Sequence, residues 1–201
     1  MPDFASGAEK SSPEKLALRN RLLAARRSLS PEDRAKAAAA VQAAVRDLVR
    51  AQSPTMIAGY VPLGPEPGGA DLPDVLGERL ILPVLLPDND LDWVRYTGPD
   101  SLRPGRRGLR EPLGPRLGVD AVTEATLLIV PALAVDAGGV RMGRGGGSYD
   151  RVLARVGPAY SVALLHDGEF LPTVPAEPHD RRVRAVITPA EGLSETADWT
   201  K

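Results

Sequence analysis

Residues 127–156 read LLIVPALAVDAGGVRMGRGGGSYDRVLARV, an apolar run, a glycine-rich segment and a helical pattern in direct succession. The run is apolar on both faces, as a strand is when helices cover each side of its sheet. From Tyr149 to Val156 the apolar residues recur at helical spacing, so the stretch predicts strand, loop and helix. Six glycines lie between Gly138 and Gly147, four of them in the five residues Gly143–Gly147. Glycine frees the backbone to adopt positive φ and to bring its N–H groups close to a ligand. A loop of this kind entering a helix adds the positive end of the dipole, and its natural guest is phosphate. Arg141 and Arg144 flank the glycines, and Arg144 offers a forked donor for phosphate oxygens.

Two standard phosphate loops fail here. A Walker loop needs a lysine after its last glycine, and no lysine occurs between Lys36 and Lys201. The dinucleotide fingerprint needs Gly or Ala three residues after its second glycine, where Gly143 and Gly145 are followed by Ser148. Tyr149 reads either as a core-edge aromatic or as a platform for a flat ligand. Asp150 either complements the dipole of the helix it opens or ligates Mg²⁺ beside phosphate oxygens. Asp136, at the end of the apolar run, reads as a site residue or as a turn cap.

Working outward, Ser11-Ser-Pro-Glu14 and Ser30-Pro-Glu-Asp33 are helix starts, so two helices open the chain. After Pro54 short apolar runs alternate with Pro and Gly: Met56–Val61, Leu80–Leu86, Leu91–Tyr96, Leu127–Val130 with an extension to Val135, Tyr160–Leu165 and Val183–Thr188 are expected strands. Helical segments fit near Ala70–Arg79 and Tyr149–Val156. The expectation is one three-layer α/β domain over residues 12–189, with a central mixed, mostly parallel sheet flanked by helices. Residues 1–11 and 190–201 are expected to be flexible tails. In such sheets ligands bind beyond the carboxyl ends of the strands, where the glycine loop lies.

Composition narrows the function classes. The 201 residues carry 25 basic and 26 acidic side chains, a formal net charge of -1, so no overall field draws the protein to nucleic acid or to an anionic membrane. There is no cysteine, which removes thiolate nucleophiles and Cys-based zinc sites. The two histidines, His166 and His179, are too few for a histidine metal cluster, and no apolar run reaches the length of a bilayer span. A cytoplasmic monomer acting on small molecules is expected, built for positioning and electrostatics, as phosphoryl transfer requires.

The order of motifs resembles the 5-formyltetrahydrofolate cyclo-ligase family from about Lys15 to Pro189. The resemblance is carried by KLALRNRLLAARRSLSPEDRAKA, IAGYVPLGPEP, GLREP at 108–112, LLIVPALAVDAGGVRMGRGGGSYDRVLA, and PAEPHDRRV leading to VITP. It implies ATP- and Mg²⁺-dependent cyclisation of 5-formyltetrahydrofolate to 5,10-methenyltetrahydrofolate, with ADP and phosphate released. It further implies that Lys15, Arg19 and the loop Arg141, Gly143, Arg144, Gly145, Gly146, Gly147 and Ser148 hold ATP. Val61, Glu66 and Tyr149 would line the folate pocket, Arg144 and Tyr149 would act at the reacting groups, and Asp150 would hold Mg²⁺. Two positions depart from the family pattern: Ser148 stands where a second aromatic is common, and Arg184 where a second metal-associated aspartate is. Those departures motivate an alternative, a non-catalytic folate- or nucleotide-binding module descended from the enzyme.

Overall fold

The fold is that of a computed structural model, which describes residues 12–157, 159–178 and 180–197. Helix α1 (Pro13–Ser28) starts where Ser12 accepts a hydrogen bond from the Lys15 N–H at 3.2 Å, with Pro13 in the first turn. Helix α2 (Pro31–Gln52) repeats the device through Ser30 and the Asp33 N–H, and ends on Ser53 in the left-handed region at φ 45°. Beyond it lie β1 (Ile57–Ala58), α3 (Leu72–Leu76), β2 (Leu80–Leu85), β3 (Leu91–Arg95), and the hairpin β4 (Leu102–Pro104) and β5 (Arg110–Pro112). Then come β6 (Leu127–Pro131), β7 (Ala134–Asp136), β8 (Arg141–Met142), α4 (Ser148–Arg155), β9 (Tyr160–Leu164), β10 (Phe170–Leu171), β11 (Ala185–Thr188) and β12 (Gly192–Glu195).

Seven strands form the main sheet in the order β12-β11-β9-β6-β1-β2-β3. All neighbours from β11 to β2 run parallel, and the two edge strands β12 and β3 are antiparallel. The alternation of side chains along β6 separates two cores. Leu127 and Ile129 face Val41, Val45 and Leu48 of α2 and Leu72 and Leu76 of α3. Leu128 and Val130 face Val152 of α4, with Val122 and Trp93. Helices thus cover both faces, the three-layer α/β arrangement expected from the doubly apolar runs. Helix α1 lies elsewhere: Leu22 packs with Leu133, Ala134 and Met142 over the small sheet β10-β7-β8.

Two expectations need correction. The run 127–135 is not one strand: the ladder of β6 stops at Pro131, which has no N–H to donate, and Ala134–Asp136 joins the small sheet. Residues 190–197 are not a tail, because β12 pairs with β11 and the Thr196 hydroxyl, 3% exposed, bonds the Val183 and Arg184 carbonyls. The polar composition misled: β12 is an edge strand with one solvated face, and its contribution is backbone pairing. The expected tails at 1–11 and 198–201 lie outside the described residues.

Strand order reverses between β1 and β6, since the chain passes from β1 to β2 on one side and from β6 to β9 and β11 on the other. The crevice at such a switch point opens beyond the carboxyl ends of the two strands. Gly59–Glu66 leaves the end of β1 there, and Arg141, at the head of the glycine loop, donates to the Pro131 carbonyl at the end of β6.

Candidate active site

The hairpin formed by β7 and β8 turns at Asp136–Gly139, and this settles the role of Asp136. Its two carboxylate oxygens accept from the Val140 N–H at 3.0 Å and the Val174 N–H at 3.1 Å, so it is a buried turn residue. From Arg141 the chain enters the glycine loop. Gly145 has φ 93°, and a Cβ there would lie 3.4 Å from the Arg19 guanidinium. At Gly143 a Cβ would meet Arg141 at 2.7 Å. The positive φ favours glycine at 145, and at 143 a side chain would require the Arg141 guanidinium to shift. Among the described residues, no backbone N–H from Gly143 to Gly147 donates a hydrogen bond within the protein, and Gly147 begins α4 in the left-handed region at φ 70°. Such a row of unused donors at a helix N-terminus has the geometry that suits an anion.

Arg19 reaches the loop directly, its Nε donating to the Gly143 carbonyl at 3.1 Å. Arg141, 3% exposed, donates to the Asp150 Oδ1 at 2.8 Å and to the Pro131 carbonyl at 3.2 Å. Arg144 crosses the crevice, its guanidinium bonding the Glu66 Oε1 at 2.9–3.0 Å, while the other oxygen of Glu66 accepts from the Leu63 N–H at 2.8 Å. Val61 is buried beside Glu66 in the same loop. Tyr149 packs on the apolar cluster that contains Val61, and its hydroxyl is covered and unpartnered. Burial, and then the charge of Glu66, push that phenol well above its ordinary range, so it stays protonated. Ser148 occupies the first position of α4.

Lys15 stands apart from the loop. It is 4% exposed and bonds Glu177 at 2.6 Å and Asp180 at 2.5 Å. Burial alone would depress its pKa, but the hydrogen bonds it donates to Asp180 and Glu177, with the charge of both, outweigh burial and raise it. The segment is still contiguous with the loop, because the Arg181 N–H bonds the Asp150 Oδ1 at 3.3 Å. The structure thus gathers Arg19, Arg141, Arg144, Glu66, Val61, Tyr149 and Asp150 around one crevice, with Lys15 at its flank on two carboxylates.

Among the described residues no group of three or more His, Cys, Asp or Glu side chains is placed to hold a metal ion. Asp150 uses Oδ1 for both its partners, which leaves Oδ2 for a cation that also takes phosphate oxygens and water. The donor set fits a Mg²⁺ ion carried by a nucleotide. Sequence reasoning overlooked Tyr60, read only as part of a strand, and the Lys15 partners Glu177 and Asp180. No local pattern signals a pairing across 162 residues.

The profile of the 5-formyltetrahydrofolate cyclo-ligase family matches residues 11–189. The chain is 42% identical over 146 residues to the 5-formyltetrahydrofolate cyclo-ligase of Mycolicibacterium smegmatis, covering 68% of this chain and 75% of that protein. The NMR structure of Aquifex aeolicus 5,10-methenyltetrahydrofolate synthetase superposes with a TM-score of 0.79 at 28% identity, over 93% of this chain and 95% of that one. A synthetase of the same name from Mycoplasma pneumoniae, 16% identical, shares the fold with a TM-score of 0.68, over 86% of this chain and 97% of that one. With residues 11–189 matched, the glycine loop among them, the chain belongs to the 5-formyltetrahydrofolate cyclo-ligase family, a family of ATP-using ligases.

Proposed function

We propose that the crevice cyclises 5-formyltetrahydrofolate to 5,10-methenyltetrahydrofolate by phosphorylating the formyl oxygen. The observation that carries this reading is the row of unused N–H donors from Gly143 to Gly147 beside Arg19, directly across from Glu66 and Val61. One wall suits phosphate and the other a flat, hydrogen-bonding heterocycle.

A formyl oxygen is a poor leaving group. In the first step it attacks the γ-phosphorus of ATP, the bond to the bridging oxygen breaks, and ADP departs with that electron pair. In the second, N10 of the folate attacks the activated carbon and loses its proton, while phosphate leaves with the electrons of the C–O bond. No enzyme nucleophile takes part, in keeping with a chain that has no cysteine. The protein supplies placement and charge: loop N–H groups and Arg19 hold phosphates, Arg144 moves from Glu66 to the transferring group, and Tyr149 carries the ring. Asp150 would hold Mg²⁺, which supplies further neutralisation of phosphate charge. Lys15 contributes by exchanging a carboxylate for phosphate.

Among the described residues no helix is long and apolar enough to cross a membrane, and the exposed large apolar side chains are Leu16, Leu113, Leu117 and Leu193. We further propose a cytoplasmic monomer. The deciding experiment incubates the protein with 5-formyltetrahydrofolate, ATP and Mg²⁺ and follows the methenyl chromophore with ADP release. Product and ADP in equal amounts are expected. Folate binding without ADP release would instead mean a binding module.

A further inference from the structure

Tyr60 is 4% exposed, and its hydroxyl has no hydrogen-bond partner. A buried phenol without a partner is destabilising, and phenylalanine would fill the same space without that cost. Its position explains why a hydroxyl is there. Tyr60 lies two residues beyond β1, at the switch point, and packs in one cluster with Val61 and Tyr149. The groups whose charge its hydroxyl senses are Glu66 first, then Arg26, Tyr149 and Glu169. Burial and Glu66 together hold the phenol protonated, so it is a donor in search of an acceptor. The Tyr149 hydroxyl, also covered and unpartnered, senses Glu66 as well. Two orphaned phenols therefore share one cluster with Val61. Glu66 is bridged in turn by Arg144, whose side chain is 49% exposed.

We propose that the Tyr60 hydroxyl is a substrate anchor, donating its hydrogen to an acceptor atom of the folate heterocycle beside Glu66. The folate, not the nucleotide, is the partner, because Tyr60 adjoins Val61 and Glu66 while the phosphate donors lie on the loop across the crevice. The inference rests on the cyclo-ligase reading and adds a ligand-touching residue to it.

The test compares wild type, Tyr60→Phe and Tyr96→Phe in the turnover assay, in calorimetric titration with 5-formyltetrahydrofolate, and in thermal denaturation. For Tyr60→Phe, the KM and Kd for the folate are expected to rise about tenfold, the value of one buried hydrogen bond, with kcat and the KM for ATP unchanged and Tm equal or higher. Tyr96 bonds Asp74 at 2.6 Å outside the crevice, so Tyr96→Phe is expected to lower Tm and leave both KM values alone. An unchanged folate KM in Tyr60→Phe, with wild type active, overturns the anchor alone. A wild type that neither turns over nor binds the folate overturns the cyclo-ligase reading and the anchor with it.

Discussion

Lys15 is a buried ammonium held by two carboxylates, and its stability contribution is pH-dependent. Its pKa is raised above the ordinary 10.5, so its pairing stabilises the fold fully below about pH 10.5 and is lost as pH climbs through the folded value. Lys15→Met leaves Glu177 and Asp180 facing each other. It should lower stability by about 2–3 kcal/mol at pH 8 and flatten the alkaline fall, read by denaturant titration from pH 8 to 11. Arg144 is the opposite case, a half-exposed side chain whose pairing with Glu66 adds little to folding. Arg144→Ala is expected to leave Tm within about a degree while raising the KM for ATP about 10- to 100-fold, the value of a charge-assisted hydrogen bond. Steady-state kinetics at saturating folate decide it, and unchanged kinetics would remove Arg144 from the phosphate site.

Helix α4 carries the glycine loop, and Arg155 fastens it to Asp90 before β3 at 2.6 Å. The hydrogen bond from Arg155 depresses the Asp90 pKa below its ordinary 3.8 against the pull of burial. A depressed carboxylate contributes stability above its unfolded pKa and loses it as pH falls through the folded one. Asp90→Asn should therefore lower the Tm at pH 7 and reduce the difference between pH 7 and pH 3. At the far edge of the sheet, β12 makes a sharper prediction. Deleting residues 191–201 uncovers the backbone of β11 and should destabilise the domain by about 3 kcal/mol or more, whereas a dispensable tail would cost nothing. Thr196→Val alone should cost about 1 kcal/mol by removing the hydroxyl's hydrogen bonds to the Val183 and Arg184 carbonyls.

For the whole molecule, the switch point makes substrate binding and stability one equilibrium. At about 100 times its Kd, a nucleotide that binds only the folded chain adds about 2.7 kcal/mol, so ATP with Mg²⁺ should raise Tm by roughly 5–10 °C. The arrangement that permits this was partly legible in the sequence. Doubly apolar runs such as Leu127–Val130 dictate a sheet covered on both faces, because a strand's two faces are written in alternate residues. Ser12 and Ser30 mark helix starts through bonds three residues long, and the glycines of 143–147 announce a backbone left free for a ligand. These are local constraints, and a local string determines them. Which strand neighbours which, that Glu66 receives Arg144 from 78 residues away, that Lys15 rests on Glu177 and Asp180, and that the Tyr60 hydroxyl is buried without a partner are set by packing. Only the tertiary structure decided them, because hydrogen bonds and burial between distant segments depend on how closed the whole fold is and leave no period in the sequence.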